Sequence, residues 1–268
     1  MQTISSQHIE IVLKQNRSLI ASFSKAKSRT KRWIVFLTES GSAFRKADRK
    51  ELESLVGRKV ARSFHFLIVN KPGLSPKGTH SSVFEKSFRR RRRIDDALEA
   101  MKIIIPKNHE IHLVGYSEGA YLAPQVAEKD SRVKTISMIG GGTRGWLKEE
   151  YNTASYKEKK TYLKKIQEIY AHPHSTEKWN GFSYATWFSY RGDNALQSLR
   201  RLKLPVLAIL GGRDNVIDLR STIVDLVLIS EKRPIHINIF GDCGHYFSKH
   251  WKQVELVLGR FLTDTVLK

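Results

Sequence analysis

The stretch Gly115-Tyr116-Ser117-Glu118-Gly119 sets a serine between two glycines, each two positions away. It follows the apolar run Ile111 to Val114 and leads into a small-residue stretch with Ala120, Leu122 and Ala123, so it reads as a strand, a sharp turn and the start of a helix. A serine on such a turn is strained, and its neighbours must be small for strand and helix to approach. Gly115, Gly119 and Ala120 meet that demand. The helix then aims its first amides and positive dipole end toward Ser117, which favours negative charge developing beside it. The chemistry indicated is nucleophilic attack by Ser117.

A serine hydroxyl is a poor nucleophile at neutral pH and needs a base, for which histidine, with an ordinary pKa of about 6.5, is suited. Of the ten histidines, His245 lies on a loop just past the last apolar run, in Gly241-Asp242-Cys243-Gly244-His245. His112 falls inside a strand pattern, His172 and His174 fall in a stretch without one, and His250 sits one turn into the terminal helix. The base needs a carboxylate to hold its tautomer. Asp214, in Gly-Gly-Arg-Asp-Asn-Val, follows the run Val206 to Leu210 and reaches the same edge, whereas Asp242 competes by sequence proximity.

These residues need a sheet to bring them to one rim. His8 to Leu13 and Ser18 to Phe23 read as a leading hairpin, and Trp33 to Leu37, apolar on both faces, reads as a buried central strand. Phe64 to Val69, Ile111 to Val114, Thr135 to Ile139, Val206 to Leu210 and Ile235 to Ile239 continue the series, separated by helical lengths that imply parallel pairing with right-handed crossovers. The terminal helix carries Val254, Val257, Leu258, Phe261 and Leu262 on one face. Between Arg144 and Leu202 the strand pattern stops, and a helical stripe of Tyr162, Leu163, Ile166, Ile169 and Tyr170 accompanies a concentration of aromatics. We therefore expect a core formed by residues 1–143 and 203–268 and an inserted cap over 144–202, whose aromatics mostly fill its own small core. Tyr116, Trp146 and Trp187 are expected to touch substrate.

The 268 residues, 40% hydrophobic, suit one α/β core with an insertion. No segment approaches the roughly 20 apolar residues that cross a bilayer. The opening MQTISSQHIEIVLK lacks the features of an export signal, and the single cysteine, Cys243, excludes an intrachain disulfide and a cysteine-built metal site. A cytoplasmic enzyme without metal or cofactor is the expectation. The formal net charge of +21 attracts anionic partners non-specifically. Its one dense run, Arg89 to Arg93, continues into Ile94, Ala97, Leu98 and Met101 at helical spacing. It reads as a solvated helix flank, not as a specific nucleic-acid or phosphoinositide site.

With the Gly115 to Gly119 turn, Asp214 and His245 in that chain order, the sequence resembles the α/β-hydrolase superfamily from Trp33 to its end. It is most similar to small bacterial serine aminopeptidase-like or prolyl-oligopeptidase-like hydrolases and esterases. The resemblance implies a mostly parallel eight-stranded sheet, a helical cap after the sixth strand, and a triad of Ser117, Asp214 and His245. It also assigns the acid to the loop after the seventh strand, which leaves Asp242 a loop-capping role. One departure stands out: members usually carry His-Gly after the third strand, where this chain has Thr38-Glu39-Ser40-Gly41. Backbone amides of Ser40 and Glu118 can still form the oxyanion hole, but Glu39 would add a negative charge nearby, and losing one donor costs about a hundredfold or more.

Hydrolysis of a carboxylic ester, thioester or small amide through an acyl-enzyme is the function expected, on a small-molecule substrate with an apolar or aromatic acyl portion. The positive charge hints at an acidic leaving group such as a coenzyme A moiety. A non-catalytic protein that holds a ligand or partner in the cap cleft is the alternative, and the persistence of three distant triad positions argues against it. Substrate identity is set by loops and cap, not by fold.

Overall fold

Strands whose residues are apolar on both sides can lie only at the centre of a covered sheet, and β3 (Arg32–Leu37) and β4 (His65–Val69) occupy that place. The computed structural model describes residues 7–13, 17–26 and 29–267. Residues 1–6 of the opening stretch read for an export signal lie outside the described residues. The sheet has eight strands in the order β1-β2-β4-β3-β5-β6-β7-β8. The remaining strands are β1 (Gln7–Leu13), β2 (Arg17–Ser24), β5 (Glu110–Tyr116), β6 (Val133–Ile139), β7 (Val206–Gly211) and β8 (Ile235–Phe240). β1, β2 and β4 pair antiparallel, and every pairing from β4 to β8 is parallel.

Strand alternation divides the core into two layers. Trp33, Val35, Leu37 and Leu113 face α4 (Arg90–Ile104), α5 (Glu118–Ala127), α9 (Asn194–Arg201) and α10 (Leu219–Ser230). Ile34, Phe36, Val114 and Tyr116 face α1 (Arg49–Val56), α2 (Arg58–Ala61) and α11 (Trp251–Val266). Val254, Leu258, Phe261 and Leu262 of α11 are buried there, as their spacing predicts. Because β3 and β5 to β8 run parallel, the loops that leave their carboxyl ends gather at one rim, where open α/β sheets bind ligands.

The insertion between β6 and β7 carries α6 (Trp146–Thr153), α7 (Lys159–Ala171), α8 (Tyr184–Ser189) and α9. Leu147, Ile169, Tyr184 and Trp187 form a separate small core, ringed by Trp146, Trp179, Phe182 and Phe188, so most of its aromatics do fill the insertion itself. α9 is different: Ala195, Leu196 and Leu199 belong to the main core. The segment is tied down at its start, where Arg144 donates to both Asp225 oxygens of α10 at 2.5 and 2.6 Å, and Asp193 accepts from the Gly145 amide at 2.8 Å.

The arginine run is not a solvated flank. Only Arg91 is largely exposed. Arg89 donates to Thr186 Oγ1 at 2.7 Å, Arg90 donates to the Ser189 carbonyl at 3.0 Å and to Gln125 Oε1 at 2.6 Å, and Arg93 is fully buried. Long side chains at the start of α4 thus reach α5 and α8, and the run acts as a staple between core and insertion. Ile94, Ala97 and Met101 remain buried as the apolar stripe requires, with Leu98 packed beside them.

Packing at the rim leaves no room for side chains at particular glycines. A Cβ at Gly119 would lie 1.9 Å from the Leu37 carbonyl oxygen, and one at Gly115 would lie 2.2 Å from that of Gly119. Gly119→Ala should therefore force α5 away from β3, an overpacking cost of about 1–3 kcal/mol or more, and lower Tm by roughly 5 °C or more. Gly241→Ala, whose Cβ meets nothing within 4 Å, is the matched control; equal melting temperatures for the two variants in calorimetry would refute the packing account.

Candidate active site

Ser117 sits at the junction of β5 and α5 with φ 52° and ψ −112°, a strained left-handed conformation for a residue with a side chain. The turn is held because the Ser117 amide donates to the Ile139 carbonyl at 2.8 Å while α5 starts directly beyond it. Its hydroxyl lies 2.9 Å from His245 Nε2, on the loop after β8. His245 Nδ1 lies 2.8 Å from Asp214 Oδ2, on the loop after β7. The other carboxylate oxygen of Asp214 accepts the amides of Val216 (2.8 Å) and Ile217 (3.2 Å), which fixes its orientation. With Asp214 accepting from Nδ1–H, the imidazole is left with Nε2 free to accept the Ser117 proton. His245 and Asp214 are both buried, so the line is shielded from water. Such an arrangement can deprotonate a serine as it attacks.

The loop after β3 answers the question posed by Glu39. Burial pushes the Glu39 carboxyl up, but Arg45, paired with it at 3.0 Å through charge and hydrogen bond, together with a backbone hydrogen bond and the charge of Lys71, holds it below its usual range. Beneath the loop lies a residue the sequence reading passed over. Lys71, just beyond β4, is almost fully buried and donates to Thr38 Oγ1 at 3.0 Å and to the Gly41 carbonyl at 2.9 Å. The ammonium grips the loop on both sides of Glu39 and Ser40. Ser40 itself lines the same cleft as Ser117 and Glu118.

Glu118 contributes more than a backbone. Its side chain is buried and accepts from Arg93 Nε at 3.2 Å and from the Tyr190 hydroxyl. This pair joins α4, α5 and the segment after α8 directly under the serine turn. Both Arg93 Nη atoms and Glu118 Oε2 lack hydrogen-bond partners among the described residues. Breaking such a pair is costly because the surviving charge stays buried.

The cleft, a cavity of about 100 Å³ that opens to solvent, is walled by Trp146, Phe182 and Trp187 from the insertion, with Glu149 and Glu150 beside them. Trp146 and Trp187 line the cleft that holds Ser117. Tyr116 does not. Strand alternation turns it to the α11 side, where it is buried against Trp251 and its hydroxyl donates to the His245 carbonyl at 3.4 Å. It supports the His245 loop from behind. Asp242 faces His250 Nε2 at 3.1 Å, so these two satisfy one another away from Ser117. Burial pushes His112 down to about 3, and its Nδ1 bonds Thr135 Oγ1 at 3.0 Å, a packed role in the core. Among the described residues, no group of three or more His, Cys, Asp or Glu is placed to hold a metal, and no helix is long and apolar enough to cross a membrane.

Burial gives Lys71 a measurable signature. Desolvation first, then repulsion from Arg93, pushes its ammonium down to about 7, with Glu118 and Glu39 resisting. The unfolded chain keeps an ordinary lysine near 10.4, so between about pH 7 and pH 10 the unfolded state binds the extra proton and stability rises with pH, by at most ~1.4 kcal/mol per unit. Below pH 7 both states are protonated and the burial cost is present in full. Urea unfolding at pH 7 and pH 9 should show wild type gaining about 1–3 kcal/mol relative to Lys71→Met; parallel pH dependences in the two proteins would contradict the assignment.

No family model matches the chain. It is similar to the esterase EstD of Thermotoga maritima, 26% identical over 164 residues that make up 57% of this chain and 39% of that protein. The chain therefore spans well under half the length of that relative. Among solved structures, the acylaminoacyl peptidase of Pyrococcus horikoshii superposes with a TM-score of 0.70 at 15% identity, over 100% of this chain and 43% of that one. The Pyrococcus furiosus esterase Pf2001 gives 0.65 at 14% identity over 98% and 92% of the two chains, and Est1E from Butyrivibrio proteoclasticus gives 0.64 at 9% over 98% and 99%. The mostly parallel sheet and its flanking helices are those of these structures, and the chain has the α/β-hydrolase fold, with its resemblances among the esterases and peptidases of that superfamily.

Proposed function

We propose that the chain is a serine hydrolase that cleaves a carboxylic ester, thioester or small amide through an acyl-enzyme on Ser117. The observation that carries this reading is the continuous line of hydrogen bonds from Ser117 Oγ to His245 Nε2, 2.9 Å, and from His245 Nδ1 to Asp214 Oδ2, 2.8 Å. The esterase EstD and the esterase and peptidase structures of like fold support it.

In the first half-reaction the Ser117 oxygen bonds to the substrate carbonyl carbon while His245 Nε2 takes the hydroxyl proton. The carbonyl oxygen gains the negative charge, and the amides of Glu118 and Ser40 receive it. His245 then returns the proton to the leaving oxygen, sulfur or nitrogen as that bond breaks. In the second half-reaction water loses its proton to His245 and attacks the acyl group, and Ser117 recovers its hydrogen as the acid departs. Asp214 stays ionised and stabilises the imidazolium in both halves. Trp146 and Trp187 favour an apolar or aromatic acyl portion, and the insertion 144–202 serves as a cap over the rim.

A fluorophosphonate probe should label wild type and fail to label Ser117→Ala, with His245→Ala strongly impaired. Asp214→Asn should lower kcat on a p-nitrophenyl ester by about 10⁴-fold, because the imidazole then loses its tautomer preference. A wild-type protein that is folded yet unlabelled would remove the activated serine from consideration.

A further inference from the structure

The chain carries 47 lysines and arginines against 26 acidic residues, yet among the described residues no lysine or arginine lines the cleft over Ser117. Three carboxyl groups do. Glu118 is accounted for by Arg93 and Tyr190. The other two, Glu149 and Glu150 of α6, have no counter-cation among the described residues. Glu149 is 5% exposed, and the one described hydrogen bond to its carboxyl comes from the Arg144 amide at 3.2 Å. Its carboxyl occupies space that exists because residue 142 is glycine: a Cβ there would lie 1.8 Å from Glu149 Oε1. Glu150 receives only a 3.4 Å bond from the Asn180 amide group.

Nearby cations are engaged elsewhere. The Arg144 guanidinium is held by Asp225, and Lys148 reaches Asp193 at 3.2 Å. Burial raises the Glu149 carboxyl well above its ordinary range, and the charges it feels from Asp218, Asp214 and Asp193 push the same way. Aromatic rings complete the surroundings: Trp146, with one face stacked on Tyr190 at 4.0 Å, lies 5.5 Å from Phe182 and 5.7 Å from the buried Trp187 between ring centroids, and Phe182 lies 5.8 Å from Trp187. A cation is attracted to the faces of such rings, most of all tryptophan, and more strongly where water is excluded. A cation bound there would in turn favour the ionised form of both carboxyl groups.

We propose that this cleft selects substrates that carry an ammonium group near the scissile bond, held by Glu149 and Glu150 beside the rings of Trp146, Phe182 and Trp187. This rests on the hydrolase reading given above, since it names the substrate class of the Ser117 site. It also reverses the hint of an acidic leaving group that the overall charge gave.

Two charge-isosteric pairs test it. For turnover, the p-nitrophenyl esters of 4-(trimethylammonio)butyrate and 5,5-dimethylhexanoate differ only by nitrogen for carbon. Wild type should favour the cation at least tenfold in kcat/KM, mainly through KM, and the ratio of cationic to neutral kcat/KM should fall about tenfold in Glu149→Gln and by a smaller factor in Glu150→Gln. For binding, choline and 3,3-dimethylbutan-1-ol are titrated into Ser117→Ala by tryptophan fluorescence, with choline bound the tighter. Should Glu149→Gln not fold, Glu150→Gln and the binding pair still decide. Tighter binding of choline with neither ester hydrolysed would keep the cation pocket and remove the hydrolase. Hydrolysis of both esters with no preference for the cation, or a ratio unmoved in both glutamine variants, would overturn the pocket and leave the hydrolase standing.

Discussion

Everything at the rim depends on how closely α5 approaches β3. With Gly119 at the point of contact, the Leu37 carbonyl oxygen lies where a Cβ would be, and Gly115 and Gly141 allow the same intimacy on the neighbouring sides. That approach forces the chain to reverse within one residue, and Ser117 takes the strain at φ 52°. The strain has a geometric return, because it lifts the hydroxyl clear of strand and helix and toward His245. A residue with a relaxed backbone at 117 would lie along β5 or along α5, and its oxygen would point into one of the two core layers.

Charge buried beneath the turn then fixes what the glycines allow. Arg93 and Glu118 tie α4 to α5, Tyr190 adds the insertion, and Lys71 grips the loop that carries Ser40. Replacing a buried ion pair by apolar residues is often neutral or stabilising, so these groups are weak evidence for stability. Their unsatisfied nitrogen and oxygen atoms point the same way, since a pair optimised for stability would leave fewer. What they provide is position. Two directional contacts on either side of Ser40, and a locked first residue of α5, fix the backbone whose amides we propose as the oxyanion hole.

The parts of this arrangement that were legible in the sequence are those with a local signature. Ser117 announces itself through small residues at fixed offsets, and Asp214 and His245 follow strands that end in glycine turns. The core stripes of α4 and α11 and the central strands are periodic. Lys71 and Arg93 left no such mark, because their partners are 33 and 25 residues away and a lone buried cation looks like any surface lysine or arginine. A signal for Arg93 did exist: it stands four residues before Ala97, on the face that also buries Ala100, so the run of five arginines was never uniformly solvated. Tyr116 shows the opposite error. Adjacency to Ser117 in sequence is not adjacency in space when a strand's alternation sends residue 116 to the other layer.

Net charge was the least informative quantity about the site, for a physical reason. A formal charge of +21 sums groups spread over the surface, and salt screens their field beyond about 10 Å at 0.1 M. It governs encounter with anionic surfaces and polymers. In the cleft walled by Trp146, Phe182 and Trp187 the nearest groups act more strongly than distant surface charges. Under the proposal above, the carboxyl groups of Glu149 and Glu150, and not the many distant lysines, decide which substrates are accepted.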